Sequence, residues 1–306
     1  IDNNDSHRIS IGGDLRINGN SGGRSGDSFL EVEGGGSAIE HRIIVDGNIE
    51  LLEDNTADGN DAFLDLFSAT GQDNAILELA GNTDGVLSSS TNQTPDLYRL
   101  VVNKGSDQNT TFTINDDFNL NATASGATKS IELQNGTLIL NNSGIDIDLN
   151  AGGGDFTIPA TAGLEIQDGT ARVSATGTGA GNGIRLDGKI TLSGGDLILD
   201  GDPAADNYIE YGSGGSAEIE ISDANSELVV GSQLRRNTLS DDGVITYTQT
   251  AGTAIFGANT APVDSRGVFE IFNTDDGSAF TLTGAGTTFA IVNGQGHPEL
   301  GTFILE

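Results

Sequence analysis

From Ser130 to Gly231 the chain is written in short phrases with an apolar residue at every second place. Leu164-Glu165-Ile166, Ile184-Arg185-Leu186, Lys189-Ile190-Thr191-Leu192 and Glu218-Ile219-Glu220-Ile221 are examples. Each phrase closes on Gly, Asn, Asp or Ser within a few residues. Strict alternation makes a strand with one dry and one wet face. The closing residues tolerate positive φ and tight turns. No helical period appears in this stretch, so helix is excluded there.

The phrases recur. Leu164-Glu165-Ile166 returns as Ile184-Arg185-Leu186, and that in turn as Tyr208-Ile209-Glu210-Tyr211. Secondary phrases fall between them, at Ala171, Lys189, Asp196, Ala217 and Glu227. A degenerate repeat of roughly 20–30 residues carrying two or three short strands is the mark of a β-solenoid. Propeller blades need about 40 residues or more, and a sandwich needs some seven longer strands joined by hairpins. The expected fold is therefore all-β: a right-handed parallel β-helix. Its coils should stack Leu164, Ile184 and Ile209 in one inward column, and Ile166, Leu186 and Tyr211 in the next. Glu165, Arg185 and Glu210 should then form an outward charge ladder. About a dozen coils, ~4.8 Å apart, would give a rod on the order of 55–60 Å long.

Composition limits the function classes. There are 45 acidic and 13 basic residues, a formal charge of −32. Such a surface repels nucleic acid and anionic membrane. No run approaches ~18 consecutive apolar residues, so no helical membrane span is expected. Cysteine is absent, which excludes thiol catalysis, disulfides and thiolate metal sites, and fits an exported protein. The chain opens on Ile1, contains no Met and stops at Glu306 inside an apolar phrase. We expect a segment of a longer, processed protein, one β-solenoid unit over residues 1–306, with a joint near 86–95 where Val86 to Pro95 is the most loop-like stretch. Ala62-Phe63-Leu64-Asp65-Leu66-Phe67 is read as strand. Phe residues crowd the final third, which predicts wider coils there.

The order Leu97-Tyr98-Arg99-Leu100-Val101-Val102-Asn103-Lys104, then Thr111-Phe112-Thr113, Asn119-Leu120 and Leu133-Gln134-Asn135-Gly136-Thr137-Leu138 resembles large exported surface proteins of the Bacteroidetes. The resemblance covers roughly Asp96 to Val292. Those proteins carry many degenerate β-strand repeats and leave the cell by the type IX secretion system. The resemblance implies an extracellular, cell-surface adhesin or stalk. The implied partners are adjoining segments of the same large protein, the secretion machinery or surface glycans. No sorting domain is visible in this chain.

Chemistry-bearing groups are few. A glycosidase needs two carboxylates ~5–10 Å apart in a cleft. Asp146 with Asp148 and Glu218 with Glu220 have the i, i+2 spacing that puts both on one strand face. With 45 acids such pairs arise by chance, and the absence of Trp with only four Tyr leaves little to stack on sugar. His7, His41 and His297 show no metal-ligand spacing. A Gly-x-Ser-x-Gly elbow with partners is not found. Hard cations take carboxylate and carbonyl oxygen, and Asp200, Asp202 and Asp206 form the leading calcium candidate. Asp116-Asp117, Asp241-Asp242 and Asp275-Asp276 are lesser ones. Acidic turn residues otherwise cap their own backbone. The Thr-x-Thr phrases at Thr111, Thr246 and Thr281 look scattered, and strand propensity accounts for them. The expected function is a rod-like structural or adhesive segment without catalysis. The alternatives are a β-helical polysaccharide lyase or hydrolase, or a phage-type fibre.

Overall fold

The computed structural model describes residues 5–19, 27–32, 39–53, 61–68, 73–91, 93–121, 129–150, 154–173, 183–199, 207–212, 215–238, 240, 242–258, 268–272, 277–292 and 303–305. Among these residues there are strands and turns and no helix. The strands form 18-, 6- and 4-stranded sheets. Every described pairing is parallel. No helix among the described residues is long and apolar enough to cross a membrane.

One ladder runs from near the first described residues to near the last. It joins Leu15–Asn18, Ile49–Leu52, Gly85–Ser89, Thr111–Ile114, Ile131–Asp148, Ala162–Arg172, Lys189–Leu192, Ser216–Ile221, Val244–Gln249 and Ala279–Leu282, each hydrogen-bonded to the next. These ten described strands span about 43 Å at the usual spacing, and Phe303–Leu305 adds a further rung to the six-stranded sheet. The strand Gly85–Ser89 takes in the first four residues of the loop-like stretch, Val86 to Ser89, and pairs on both sides. The Ala62–Asp65 strand is present as expected.

Inward residues form columns. Phe112, Leu138, Leu164, Ile190, Ile219, Tyr247 and Phe280 lie in register. A second column runs Ile114, Leu140, Ile166, Leu192, Ile221 and Gln249. Burying each Leu or Ile is worth roughly 1.5–3 kcal/mol. Gln249 is fully buried yet satisfied. It accepts from the Tyr247 hydroxyl at 2.9 Å and donates to the carbonyls of Gly252 and Thr288, both at 3.0 Å.

The expected column of Leu164, Ile184 and Ile209 is only partly right. Ile184 does pair with Ile209, and Leu186 with Tyr211. Leu164 and Ile166 belong to a different sheet and pair with Ile190 and Leu192. The recurrence from Leu164 to Ile184 crosses from one sheet to another, whereas the true register step from Leu164 runs on to Ile190. The sequence steps between paired strands are unequal. A short one steps from Leu77 to Leu100, and a long one from Leu234 to Phe269.

Two strands turn corners without breaking. Ile131–Asp148 serves three ladders, pairing with Arg99–Asn103, Thr111–Ile114 and Ala162–Arg172. Its corner falls at Gly136, with φ of 82°. A Cβ there would come within 2.7 Å of Lys104 and of the Thr110 carbonyl. Ala162–Arg172 likewise passes from Lys189–Leu192 to Asp196–Leu199. Toward the C-terminal strands the core is filled by aromatics. Tyr247, Phe256, Phe269, Phe280 and Phe289 lie with ring centroids 4.8–6.2 Å apart, which matches the larger residues read from the sequence.

The six-stranded sheet begins at Phe156–Ile158, which pairs with Ile184–Leu186. It is a separate sheet from the one containing Ile131–Asp148, so a seam separates them. Pro159 lies at that seam and has no N–H to extend a ladder.

Candidate functional site

The outer face of the long ladder carries two columns of side chains. One runs Thr111, Thr137, Gly163, Lys189, Glu218 and Thr246; the other Thr113, Ile139, Glu165, Thr191, Glu220, Thr248 and Thr281. The Thr-x-Thr phrases that look scattered in sequence therefore share one face. Gly163, Lys189 and three glutamates interrupt them. A groove of about 430 Å³ lies at this interruption. Gly163 forms its low point. A Cβ there would meet Thr137 Oγ1 at 2.6 Å, and that hydroxyl instead donates to the Gln108 carbonyl at 2.8 Å.

Glu218 and Glu220 do share a face, as their spacing predicts. They share it with Lys189, whose Nζ sits 2.9 Å from Glu218 Oε1 and 2.7 Å from Glu220 Oε2. Burial pulls the Lys189 ammonium down, but its hydrogen bonds to Glu220 and Glu218 outweigh that and leave its pKa raised. Both carboxylates act as acceptors for one cation. An acid–base pair instead needs one carboxyl able to hold a proton. Glu165 is engaged too, accepting from Gln167 at 2.8 Å and from the Ser193 hydroxyl at 2.9 Å. Asp146 is bound by Arg172 at 2.7 Å, and Asp148 accepts from the Asn150 N–H at 3.1 Å.

The six-stranded sheet carries a second array. Arg185 Nε lies 2.7 Å from Asp155, and its Nη1 is 3.6 Å from Glu210. Arg235 donates to Glu210 through Nε at 3.1 Å and Nη2 at 2.8 Å, and lies over the Tyr208 ring at 4.4 Å. Tyr208 in turn donates to Asp155 at 3.0 Å. Burial and the nearby Glu210 and Asp155 push the Tyr208 hydroxyl pKa well up. The expected order Glu165, Arg185, Glu210 is thus corrected. Arg185 and Glu210 are register neighbours, while Glu165 lies on the other sheet beside Thr191. Asp155 and Arg235 take the outer places.

Asp200, Asp202 and Asp206, the leading calcium candidates, lie outside the described residues, as do His297, Asp241, Asp275 and Asp276. Among the described residues no three His, Asp or Glu side chains come together as a metal site. Asp116 accepts from the backbone N–H of Ser89, the last residue of the strand Gly85–Ser89, at 2.8 Å. The structure brings together His7 and His41, which sequence reasoning left apart. Their rings lie 5.3 Å apart, and the backbone N–H of His7 donates to His41 Nδ1 at 3.1 Å. The signal was present: His7-Arg8-Ile9 recurs one coil later as His41-Arg42-Ile43. No family model, curated protein or solved structure matches this chain.

Proposed function

We propose that this chain is a segment of a right-handed parallel β-helix in a secreted, cell-surface protein, serving as a rod-like stalk or adhesive unit without catalysis. The observation that carries this reading is the ten-strand parallel ladder with apolar columns in register. Parallel connections within a sheet are nearly always right-handed, and a stack of short coils has hydrogen bonds running along its length. Support for the non-catalytic part comes from the glutamates of the outer face, which are tied to Lys189, Gln167 and Ser193. Under this reading the partners are adjoining segments of the same protein, secretion machinery and surface glycans.

The test is incubation with neutral and acidic polysaccharides, followed by assay for new reducing or unsaturated ends, with mass measurement in solution alongside. No new ends and a monomeric mass are expected. Turnover would assign the chain to the β-helical lyases or hydrolases, and an obligate trimer to fibres.

A further inference from the structure

The strand Arg8–Ile11 is joined to Ile39–Val45 by a parallel ladder in which Arg8 faces Arg42 and Ile9 faces Ile43. One step before Arg8 a side chain takes the place of backbone in that ladder. The His7 carbonyl accepts from the Arg42 N–H at 2.9 Å. The His7 backbone N–H, which a continued ladder would give to a carbonyl of the facing strand, instead donates to Nδ1 of the His41 ring at 3.1 Å. An imidazole nitrogen accepts only while it carries no proton. This bond therefore requires His41 to be neutral, with its proton on Nε2.

The second ring adds to the constraint. His7 and His41 are both half-buried, with centroids 5.3 Å apart. Nδ1 of His7 is buried and has no hydrogen-bond partner among the described residues. A proton added there would be a donor with no acceptor. A proton added to His41 Nδ1 would set one donor against another, and two imidazolium rings at this spacing repel. Alternation puts Arg8 and Arg42 on the other face of the same two strands, in register with each other, and Arg42 is tied to Glu78 at 2.8 Å. Glu40 is paired with Arg99 at 3.3 Å. On the next strand, Asp73–Leu79, the register partner of His41 is Ala75, with the buried Asp73 two residues before it. Asp5, two residues before His7, is exposed.

We propose that the His7–His41 contact is an acid-released latch, closed while both rings are neutral and opened by protonation, which frees the entry to the strand Arg8–Ile11 from the next coil. Imidazole changes charge between about pH 5 and 8, so the latch answers to mild acid. Its release is local: it removes the bond at the head of one strand and leaves the apolar columns of the long ladder in place. The latch does not rest on the stalk reading, since it operates whatever the coils present to a partner.

The experiment follows the isotope-labelled chain by NMR at about pH 8 and about pH 4.5, on either side of the imidazole range. It reads the ring nitrogens of His41 and amide protection at His7, Arg42 and Thr137, corrected for the intrinsic pH dependence of exchange. At the higher pH His41 should show an unprotonated Nδ1. At the lower pH protection at His7 and Arg42 should fall at least about tenfold, the worth of one hydrogen bond. Thr137, whose N–H donates to the Thr110 carbonyl at 2.9 Å, should hold. His41→Gln offers a neutral acceptor, so His7 should stay equally protected at both pH values. A protonated Nδ1 at the higher pH, unchanged protection at His7, or a loss shared by Thr137 would overturn the proposal. So would an H41Q chain that still responds, or an Asp73→Asn chain that no longer does. Tautomer and protection are read on the unaltered chain, so they decide even where H41Q does not fold.

Discussion

Arg236 grips Glu270 from the next coil through three bonds: Nε and Nη2 reach Oε1 at 3.0 and 2.8 Å, and the Arg236 backbone N–H reaches Oε2 at 2.9 Å. The two side chains are 6% and 2% exposed. The guanidinium also lies 3.4 Å from the centre of the Phe272 ring. Here the pair fixes which strand lies beside which, in the long coil that carries Leu234 round to Phe269.

A buried pair is costly to break and easy to replace. Removing one partner leaves an uncompensated charge and costs about 3–5 kcal/mol. Arg236→Met or Glu270→Leu should each lose about that much in urea unfolding. The double variant should recover most of it. Additive losses in the double variant would show that the pair is not the unit.

Asp96 is half-buried and lies in register with Asp65. Burial, then Asp65, raises its pKa, and a hydrogen bond from Asn121 opposes them. A carboxyl whose folded pKa is raised adds stability below its ordinary value near 3.8 and loses that advantage as pH climbs through the raised value. Asp96→Asn should therefore stabilise at pH 7 by about 0.2–1 kcal/mol, the scale of opposed like charges on neighbouring strands. The gain should vanish near pH 3. Thermal melts at the two pH values make the comparison.

Lys189 has the opposite sign of consequence. Its raised pKa means that its contribution is fully present below the ordinary lysine value of 10.5 and is lost as pH rises through the raised value. Lys189→Met should lower the melting temperature by a similar amount at pH 6 and pH 9, and the difference should close only as pH rises past the ordinary lysine value of 10.5. A lysine this exposed is screened, so the loss should be about 1 kcal/mol or less.

Gly136→Ala tests the corner. At φ of 82° an L residue is strained, and the added methyl would press on Lys104 and the Thr110 carbonyl. The expected loss is about 1–2 kcal/mol from conformation alone, more with the clash. Gly154→Ala, at φ of 78° but with open space around it, should cost only the conformational part. Equal losses at the two sites would remove the packing argument.

Much of the strand content was legible. Alternation at Leu164-Glu165-Ile166 and Ile219-Glu220-Ile221 sets which side chains are dry, because a strand has period two whatever surrounds it. The large aromatics of the final third were legible too, and five of these rings pack together. The columns were harder to read. Leu164 resembles Ile184 as well as it resembles Ile190, and alternation is blind to which sheet a phrase joins. The candidate groove was half legible: Glu218 and Glu220 were found, but Lys189 lies a full coil upstream of Glu218 and reaches it only through the register.

The amino-acid order by itself determined that this chain makes many short half-dry strands, punctuated by residues that permit corners, on a strongly acidic and cysteine-free background. Those properties are local, set by side-chain alternation and by backbone freedom at Gly and Asn. Tertiary structure alone decided the partners: Ile190 beside Leu164, Glu270 beside Arg236, and Lys189 between two glutamates. The reason is physical. Turns of unequal length shift each strand along its neighbour, and hydrogen bonding and close packing across coils select one register from several that local sequence leaves equal.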